Sequence, residues 1–186
     1  MADRQACERR VYRLATLLTG NPRLAAGVIT VVVDARPDLD RLDSAHLDRL
    51  TVLRSREIRP GRLVDPVLPE EVTETLASLP PQPREAWVFA RVYRMPMREI
   101  ARAMDCSRKA IERHLERADR TMGAVKSMSA EEAAGKLLAF SMRLDVPEFY
   151  RIQRRRRRLV RQLRAGLVLA LGLALIILIW RAMTAP

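Results

Sequence analysis

The stretch from Arg151 to Trp180 constrains the structure of this chain more than any other. Eight arginines fall within residues 151–164, and the sixteen residues 165–180 then carry no charge. As a helix, the uncharged run is about 24 Å long, slightly short of a hydrocarbon core of about 30 Å. Neighbouring apolar residues and snorkelling arginines can lengthen such a span. The pattern predicts a transmembrane helix over 165–181, with a buried helix or an oligomerisation seam as the alternative.

The position of the arginines predicts how this span is oriented. Eight of them precede the apolar run and only Arg181 follows it, and basic residues are in excess on the cytoplasmic side of membrane proteins. Anionic headgroups also attract such residues by about 1 kcal/mol each. Nucleic acid is the alternative partner, because arginine tracts bind phosphate without sequence preference. We expect contact with anionic lipids at the membrane interface from Arg154, Arg155, Arg156, Arg157, Arg158, Arg161, Arg164, Trp180 and Arg181.

The rest of the chain has little net charge and no visible catalytic constellation. The net charge is +12, and the residues from Arg151 onward contribute +9 because they hold nine arginines and no acids, which leaves +3 for residues 1–150. Cys7 and Cys106 lie far apart and there are only two histidines, so no metal site is expected. The sequence contains no Gly-rich phosphate loop and no nucleophile–base pair. We predict a protein that is not an enzyme, with no cofactor and no small-molecule substrate.

Apolar periodicity predicts helices along the first 150 residues. The run "VITVVV", residues 28–33, is rich in β-branched residues, but the sequence offers no second strand candidate to pair with it. Leu24, Val28, Val31 and Ala35 share one helical face, so we predict a helix. Further along, Ser129 followed by Glu132 predicts a capping box at the start of another helix.

Three prolines and a glycine between residues 59 and 69 indicate a linker. The predicted fold is all-α, with two small helical modules that fold separately and a C-terminal transmembrane helix. The predicted boundaries are 1–58 for the first module, 59–69 for the linker, 70–126 for the second module, 127–150 for a connecting helix, 151–164 for a basic juxtamembrane segment and 165–181 for the span.

Residues 97–122, "MREIARAMDCSRKAIERHLERADRTM", have the pattern of a helix-turn-helix. In the turn, Asp105 tolerates a left-handed conformation and Ser107 can cap the second helix. An ordinary helical hairpin with a solvated charged face is the alternative. The predicted buried stripe of the second helix is Ile111, Leu115, Ala118 and Met122. The N-terminal end of such a helix enters the major groove, so the predicted DNA-binding residues are Ser107, Arg108, Lys109, Glu112, Arg113, His114 and Arg117.

The longer segment "LASLPPQPREAWVFARVYRMPMREIARAMDCSRKAIERHLERADRTM" resembles region four of bacterial RNA polymerase sigma factors of the extracytoplasmic-function type. The matching pieces are Leu79-Pro80, Arg84-Glu85, Glu99-Ile100-Ala101, Ser107 and Arg117-Ala118. The resemblance implies a bacterial transcription regulator with double-stranded promoter DNA and the RNA polymerase core as partners. Together with the predicted span, it implies a single-pass protein of the bacterial inner membrane whose N-terminus and helical modules are cytoplasmic.

The chain departs from this family at several positions. "YRLATLLTGNPRLAAGVI" resembles the start of region two, but "AAGVITVVVDA" replaces the acidic, glutamine-containing phrase that helps to engage the polymerase clamp. On the second helix, Ala110, Glu112 and His114 stand where the family usually has Thr, Lys and Arg. We expect a membrane-anchored, sigma-factor-like transcription regulator with a degenerate region two. The alternative is a sigma-derived protein-interaction module at the membrane that no longer recognises promoters.

Overall fold

The computed structural model describes residues 4–34 and 43–152, and beyond them Arg156, Val160, Leu163 and Gly172. Every regular element in this part of the chain is helical, as the sequence predicts. The elements are α1 (Arg4–Thr19), α2 (Pro22–Asp34), α3 (Ser44–Arg56), α4 (Glu70–Ser78), α5 (Pro81–Trp87), a π-helical turn (Val88–Val92), α6 (Met97–Met104), α7 (Arg108–Gly123) and α8 (Ala130–Arg143).

The β-branched run lies inside α2, and the helix turns a different face to the core than its periodicity predicts. Its start is set by Asn21, whose Oδ1 accepts from the backbone N–H of Arg23 at 2.9 Å. Of the four residues on the predicted face, Val28 is buried, Leu24 and Val31 are 41% and 44% exposed, and Ala35 lies outside the described residues. The side chains that α2 buries are Ala25, Ala26, Val28, Ile29, Val32 and Val33. Nearly every position of this helix is apolar, so the spacing alone does not select the packed face.

One hydrophobic core runs through Met1–Val146, the first of the two compact units into which the chain divides. Side chains from the first predicted module and from the helix-turn-helix belong to a single buried cluster. Its members include Leu14, Leu17, Val52, Trp87, Ile111 and Met122. The boundaries of the two modules remain predictions, but apolar contacts join the residues on either side of them.

The segment predicted as a linker is attached to the end of α1. Leu63 is buried in the core, and the backbone N–H of Gly61 donates to the carbonyl of Thr19 at 2.8 Å. Gly20 ends α1 with a φ of 66°, a left-handed conformation that glycine adopts without steric cost. A side chain at this position would collide with the carbonyl group of Gly61. Gly20 therefore allows the segment to approach α1 closely.

Helix α8 is held at both of its ends. Ser129 and Glu132 form the predicted capping box: Ser129 Oγ accepts from the N–H of Glu132 at 3.2 Å, and Glu132 Oε2 accepts from the N–H of Ser129 at 2.9 Å. At the other end, Arg13 of α1 donates to the carbonyls of Met142 at 2.7 Å and Leu144 at 3.1 Å. Carbonyls in the last turn of a helix have no partner within it, so Arg13 fastens α8 to α1.

No helix among the described residues combines the length and the apolar character that crossing a membrane requires. This finding contradicts the transmembrane helix predicted over 165–181, and with it the fold class that included a span and the predicted inner-membrane localisation. The predicted lipid contacts are left without support. The physical reason lies in the length of the apolar run: at about 24 Å it is shorter than the hydrocarbon core, and the residues that would extend it towards the N-terminus are rich in arginine.

Most of the C-terminal segment lies outside the described residues. The second compact unit is Pro147–Pro186, of which 148–152 are helical. Only Gly172 is described within the interval predicted as a span, and only Arg156 among the residues predicted to lie at a membrane interface.

Candidate nucleic-acid interface

The turn between α6 and α7 has the local geometry that the sequence predicts. Asp105 ends α6 in the left-handed region, with φ 56° and ψ 48°, and its N–H donates to the carbonyl of Ala101. Ser107 then caps α7, because its Oγ accepts from the backbone N–H of Ala110 at 3.3 Å. Both features were predicted from residue type and both are confirmed. They fix where α7 begins and therefore which of its residues face outward.

The buried stripe of α7 is also confirmed. Ile111, Ala118 and Met122 are fully buried and Leu115 is nearly so, and all four belong to the same cluster as Trp87 of α5. The packing of this stripe fixes the position of α7, the second helix of the helix-turn-helix. The opposite side, which we call the outer face, consists of the exposed Arg108, Lys109, Glu112, Arg113, Glu116, Arg117 and Arg120.

Most cations of the outer face are not neutralised by neighbouring side chains. The exception is Arg108, whose Nε lies 3.0 Å from Glu112 Oε1 one turn further on. The side chains of Lys109, Arg113 and Arg117 make no ion pair or hydrogen bond with any residue that the structure describes. An exposed helix side with unpaired positive charge creates a potential that attracts polyanions.

His114 differs from the other predicted DNA-binding residues because it is half-buried at the edge of the outer face. Burial lowers the pKa of its imidazole below the ordinary value, and the positive charges of Arg113, Arg56 and Arg117 lower it further. In its neutral form the imidazole offers one donor and one acceptor.

Polar residues join the first predicted module to α5 and α6 along a contact that we call the seam. The polar residues of the seam are Asp43, Arg49, Arg56, Arg84, Glu85, Arg102 and Asp105. Arg49 Nη2 lies 2.6 Å from Asp105 Oδ2, and Arg102 Nη1 lies 3.2 Å from Asp43 Oδ2. In a more buried position, Nε and Nη2 of Arg56 donate to the two carboxylate oxygens of Glu85 at 2.8 and 2.6 Å.

The seam brings one residue to the candidate interface that sequence reasoning missed. Arg56, at the end of α3, lines an open groove of about 340 Å³ beside α7. The other residues of this flanking groove are Pro80, Pro81, Gln82, Pro83, His114 and Arg117. Arg56 and His114 are far apart in the sequence and meet only through tertiary packing. No local pattern could have indicated that Arg56 belongs to this site.

All seven predicted DNA-binding residues therefore lie on or directly before one helix. Ser107 is the cap; Arg108, Lys109, Glu112, Arg113 and Arg117 are on the outer face, and His114 borders the flanking groove. Their contact with DNA remains a prediction. Within the described ranges, no three His, Cys, Asp or Glu side chains come together in a way that could hold a metal ion.

Residues 70–122 match a family of known proteins, Sigma-70, region 4. The match begins at the first residue of α4 and ends at Met122, the last member of the buried stripe. It covers less than half of the chain, and it identifies the protein as sigma-factor-like with a DNA-binding helix-turn-helix. The family is one of transcription regulators and not of enzymes. No curated protein and no solved structure matches the chain.

Proposed function

We propose that this sigma-factor-like protein regulates transcription by binding promoter DNA through α7. The observation that carries the proposal is the outer face, where Lys109, Arg113 and Arg117 are exposed and unpaired among the described residues. Contacts from such cations to DNA phosphates release condensed counterions, which supplies most of the affinity for any duplex. The buried stripe keeps these cations in a fixed arrangement on a rigid helix.

The individual residues have different roles in this proposal. Arg108 and Lys109 are nearest the end of α7 that enters the major groove, so they are the candidates for contacts to guanine. Glu112 repels phosphate but can accept from the amino group of cytosine. Arg117 lies two turns further along and serves as a phosphate contact.

We also propose that the protein contacts the RNA polymerase core, and that it belongs to the extracytoplasmic-function type of sigma factors. The match to region four of sigma factors supports contact with the polymerase. The first predicted module, 1–58, is proposed to be a degenerate region two, because it lacks the acidic phrase that the resemblance would require. We therefore expect weak binding to the polymerase clamp and binding to duplex DNA that does not depend on strand opening.

A second candidate is a protein-interaction module that no longer recognises promoters. The seam favours it, because ion pairs and a continuous core hold 1–146 together as one compact unit. The pairing of Arg108 with Glu112 also favours it, since this pair neutralises the end of α7 that would enter the groove. The two candidates differ in whether the isolated protein binds duplex DNA.

The test is selection from a pool of random duplexes at two salt concentrations. The full chain should carry Arg154→Gln to Arg158→Gln, so that the C-terminal arginines do not dominate the binding. We expect enrichment of a defined sequence, and weaker binding when either Arg113→Gln or Arg117→Gln is added. Arg23→Gln is the matched control, because Arg23 is exposed on α2 and its replacement changes the net charge by the same amount as either single substitution. A folded protein that binds no duplex at low salt would leave the interaction module as the better candidate.

A further inference from the structure

The flanking groove beside α7 is assembled from three separate elements. Arg56 comes from the end of α3, Gln82 and its neighbouring prolines from the start of α5, and His114 and Arg117 from α7. No acidic side chain is among the residues that line it. Arg117 also belongs to the outer face, so the groove continues the surface on which DNA is proposed to lie.

Arg56 is fixed in an orientation that leaves part of its guanidinium available. Its Nε and Nη2 bind the two oxygens of Glu85, whereas its Nη1 takes no part in these hydrogen bonds. The side chain of Glu85 is 3% exposed and that of Arg56 is 27% exposed, so the carboxylate is hidden and the Arg56 side chain is partly accessible from the groove that it lines. The hydrogen bonds to Glu85 are also the main reason that the pKa of Arg56 is raised, which keeps it charged.

The charges that face His114 come from every element packed around it. Arg113 and Arg117 are on its own helix and Arg56 is on α3, where Arg56 is paired with the buried carboxylate of Glu85 from α5. These cations lower the pKa of His114 together with burial. Arg56, Gln82, His114 and Arg117 line the groove and no acidic residue does, so an anion bound there would meet several possible donors.

We propose that the flanking groove binds a backbone phosphate of duplex DNA, with Arg56, Gln82 and Arg117 as donors and His114 as a fourth donor that takes up a proton on binding. This inference rests on the proposed function, since it assumes that duplex DNA lies along α7. It goes further in assigning a DNA contact to α3 of the first predicted module. It also makes binding dependent on pH.

The direction of the pH dependence follows from the charge of the phosphate. A bound phosphate stabilises the imidazolium, so the pKa of His114 is higher in the complex than in the free protein. The duplex should therefore bind more tightly as pH falls from about 8 to about 6, and the gain should level off below the pKa of the free protein. One linked proton changes the affinity by at most about tenfold per pH unit.

The experiment measures binding of the full chain to the duplex enriched in the selection above, in the background without Arg154–Arg158. The double variant Arg56→Gln/Glu85→Gln removes the guanidinium but keeps two amides that can hydrogen-bond, and it leaves the net charge unchanged. Its matched control is Arg54→Gln/Glu57→Gln, which removes an exposed pair on the same helix, 3.0 Å apart, that does not line the groove. Gln82→Ala and His114→Gln complete the set, and thermal unfolding confirms that each variant is folded.

We expect Arg56→Gln/Glu85→Gln to weaken binding roughly 3- to 10-fold on all sequences and to reduce the salt slope by about 0.9, the value for one phosphate contact. Arg54→Gln/Glu57→Gln should bind like the parent. His114→Gln should bind with no dependence on pH between about 6 and 8. In NMR titrations, the duplex should raise the pKa of His114 at concentrations where inorganic phosphate has no effect.

The outcomes separate the inference from the function on which it rests. If the parent protein binds duplex but both the Arg56 and the His114 variants behave like the control, the groove makes no phosphate contact and the proposed function stands without it. If inorganic phosphate shifts His114 as effectively as the duplex does, the groove is a site for free phosphate, which overturns the inference. If the parent protein binds no duplex, both the inference and the proposed function are wrong.

Discussion

The arginines of the seam and the cations on the outer face of α7 have opposite surroundings. In the seam, Arg56 is paired with a buried carboxylate, and Arg84 is itself only 4% exposed. On the outer face, Lys109, Arg113 and Arg117 are exposed and have no partner among the described residues. Positive charge is therefore paired within the fold in the seam, where Arg56 leaves only its Nη1 outside the pair with Glu85, and unpaired on the outer face. The net charge of the chain does not reveal this distinction.

Arg84 shows how a buried arginine stabilises the fold. Its Nη1 donates to the carbonyl of Leu18 at 2.6 Å, and its Nη2 donates to the carbonyl of Leu79 at 2.8 Å. Leu18 lies in the last turn of α1 and Leu79 is the residue at which α4 ends, and carbonyls at a helix C-terminus have no N–H partner within the helix. Arg84 supplies the missing donors at the ends of α1 and α4, and so joins the first predicted module to the second.

The largest expected effect is the loss of stability when Arg84 is replaced. Arg84→Met keeps an unbranched side chain but leaves two buried carbonyls without donors, at about 1–3 kcal/mol for each unsatisfied group. We expect the free energy of unfolding to fall by roughly 3 kcal/mol in chemical denaturation. Arg113→Met is the control, since an exposed substitution of this kind changes stability by about 0.5 kcal/mol or less. Equal losses of stability in Arg84→Met and Arg113→Met would contradict the distinction between the buried arginines of the seam and the exposed cations of the outer face.

The reverse experiment replaces Lys109, Arg113 and Arg117 together with glutamine. These side chains are exposed and make no ion pair or hydrogen bond with the described residues, so the free energy of unfolding should change by less than about 1 kcal/mol. Affinity for duplex DNA should fall at least about tenfold, and the salt slope should fall by about 0.9 for each phosphate that the protein no longer neutralises. Binding isotherms at several salt concentrations measure both. A stability loss as large as that of Arg84→Met would mean that the outer face is part of the scaffold.

A smaller loss of stability is expected when one of the exposed ion pairs of the seam is broken. Arg49 and Asp105 are 2.6 Å apart, but their side chains are 42% and 64% exposed. Exposed ion pairs contribute about 0–1 kcal/mol because water and salt screen them. Arg49→Gln should therefore lower the free energy of unfolding by less than about 1 kcal/mol, and most of this loss should vanish at high salt. A loss close to that of Arg84→Met would show that location in the seam matters more than burial.

The helix-turn-helix could be predicted from the sequence because its signals are local. The left-handed residue, the cap and the buried stripe each depend on neighbours within a turn or two, and all three occur where residue type and helical spacing predict them. The resemblance to sigma factors depends on the same segment and agrees with the family match over 70–122.

The seam and the flanking groove could not be predicted in this way. Arg56 and Glu85 meet only after α3 and α5 have packed, so neither residue carries a local sign of the other. In α2 the difficulty was different: Leu24 and Val31 fit the helical period, but a helix that is apolar on nearly all sides has no unique inner face. The span over 165–181 was predicted from apolar composition, but no helix among the described residues has the length and apolar character to cross a membrane.

The smallest change in stability is expected for Glu112. This residue pairs with Arg108, so Arg108 is the one cation at the start of the outer face that is already paired. Glu112→Gln breaks a pair between residues one helical turn apart, which are 77% and 46% exposed, so stability should fall by only about 0.3–0.5 kcal/mol. The same change removes a negative charge that repels phosphate and frees Arg108 for DNA. Affinity for all duplexes should therefore rise, by roughly 2- to 5-fold at low salt, and any preference for cytosine through the carboxylate should disappear. Selection from random duplexes with the parent and the variant measures both. Glu116→Gln, which removes an equal charge further along the outer face, is the control for net charge alone. If the two variants gain equally and the preferred sequence is unchanged, Glu112 only adds charge, and Arg108 belongs with the paired arginines of the seam.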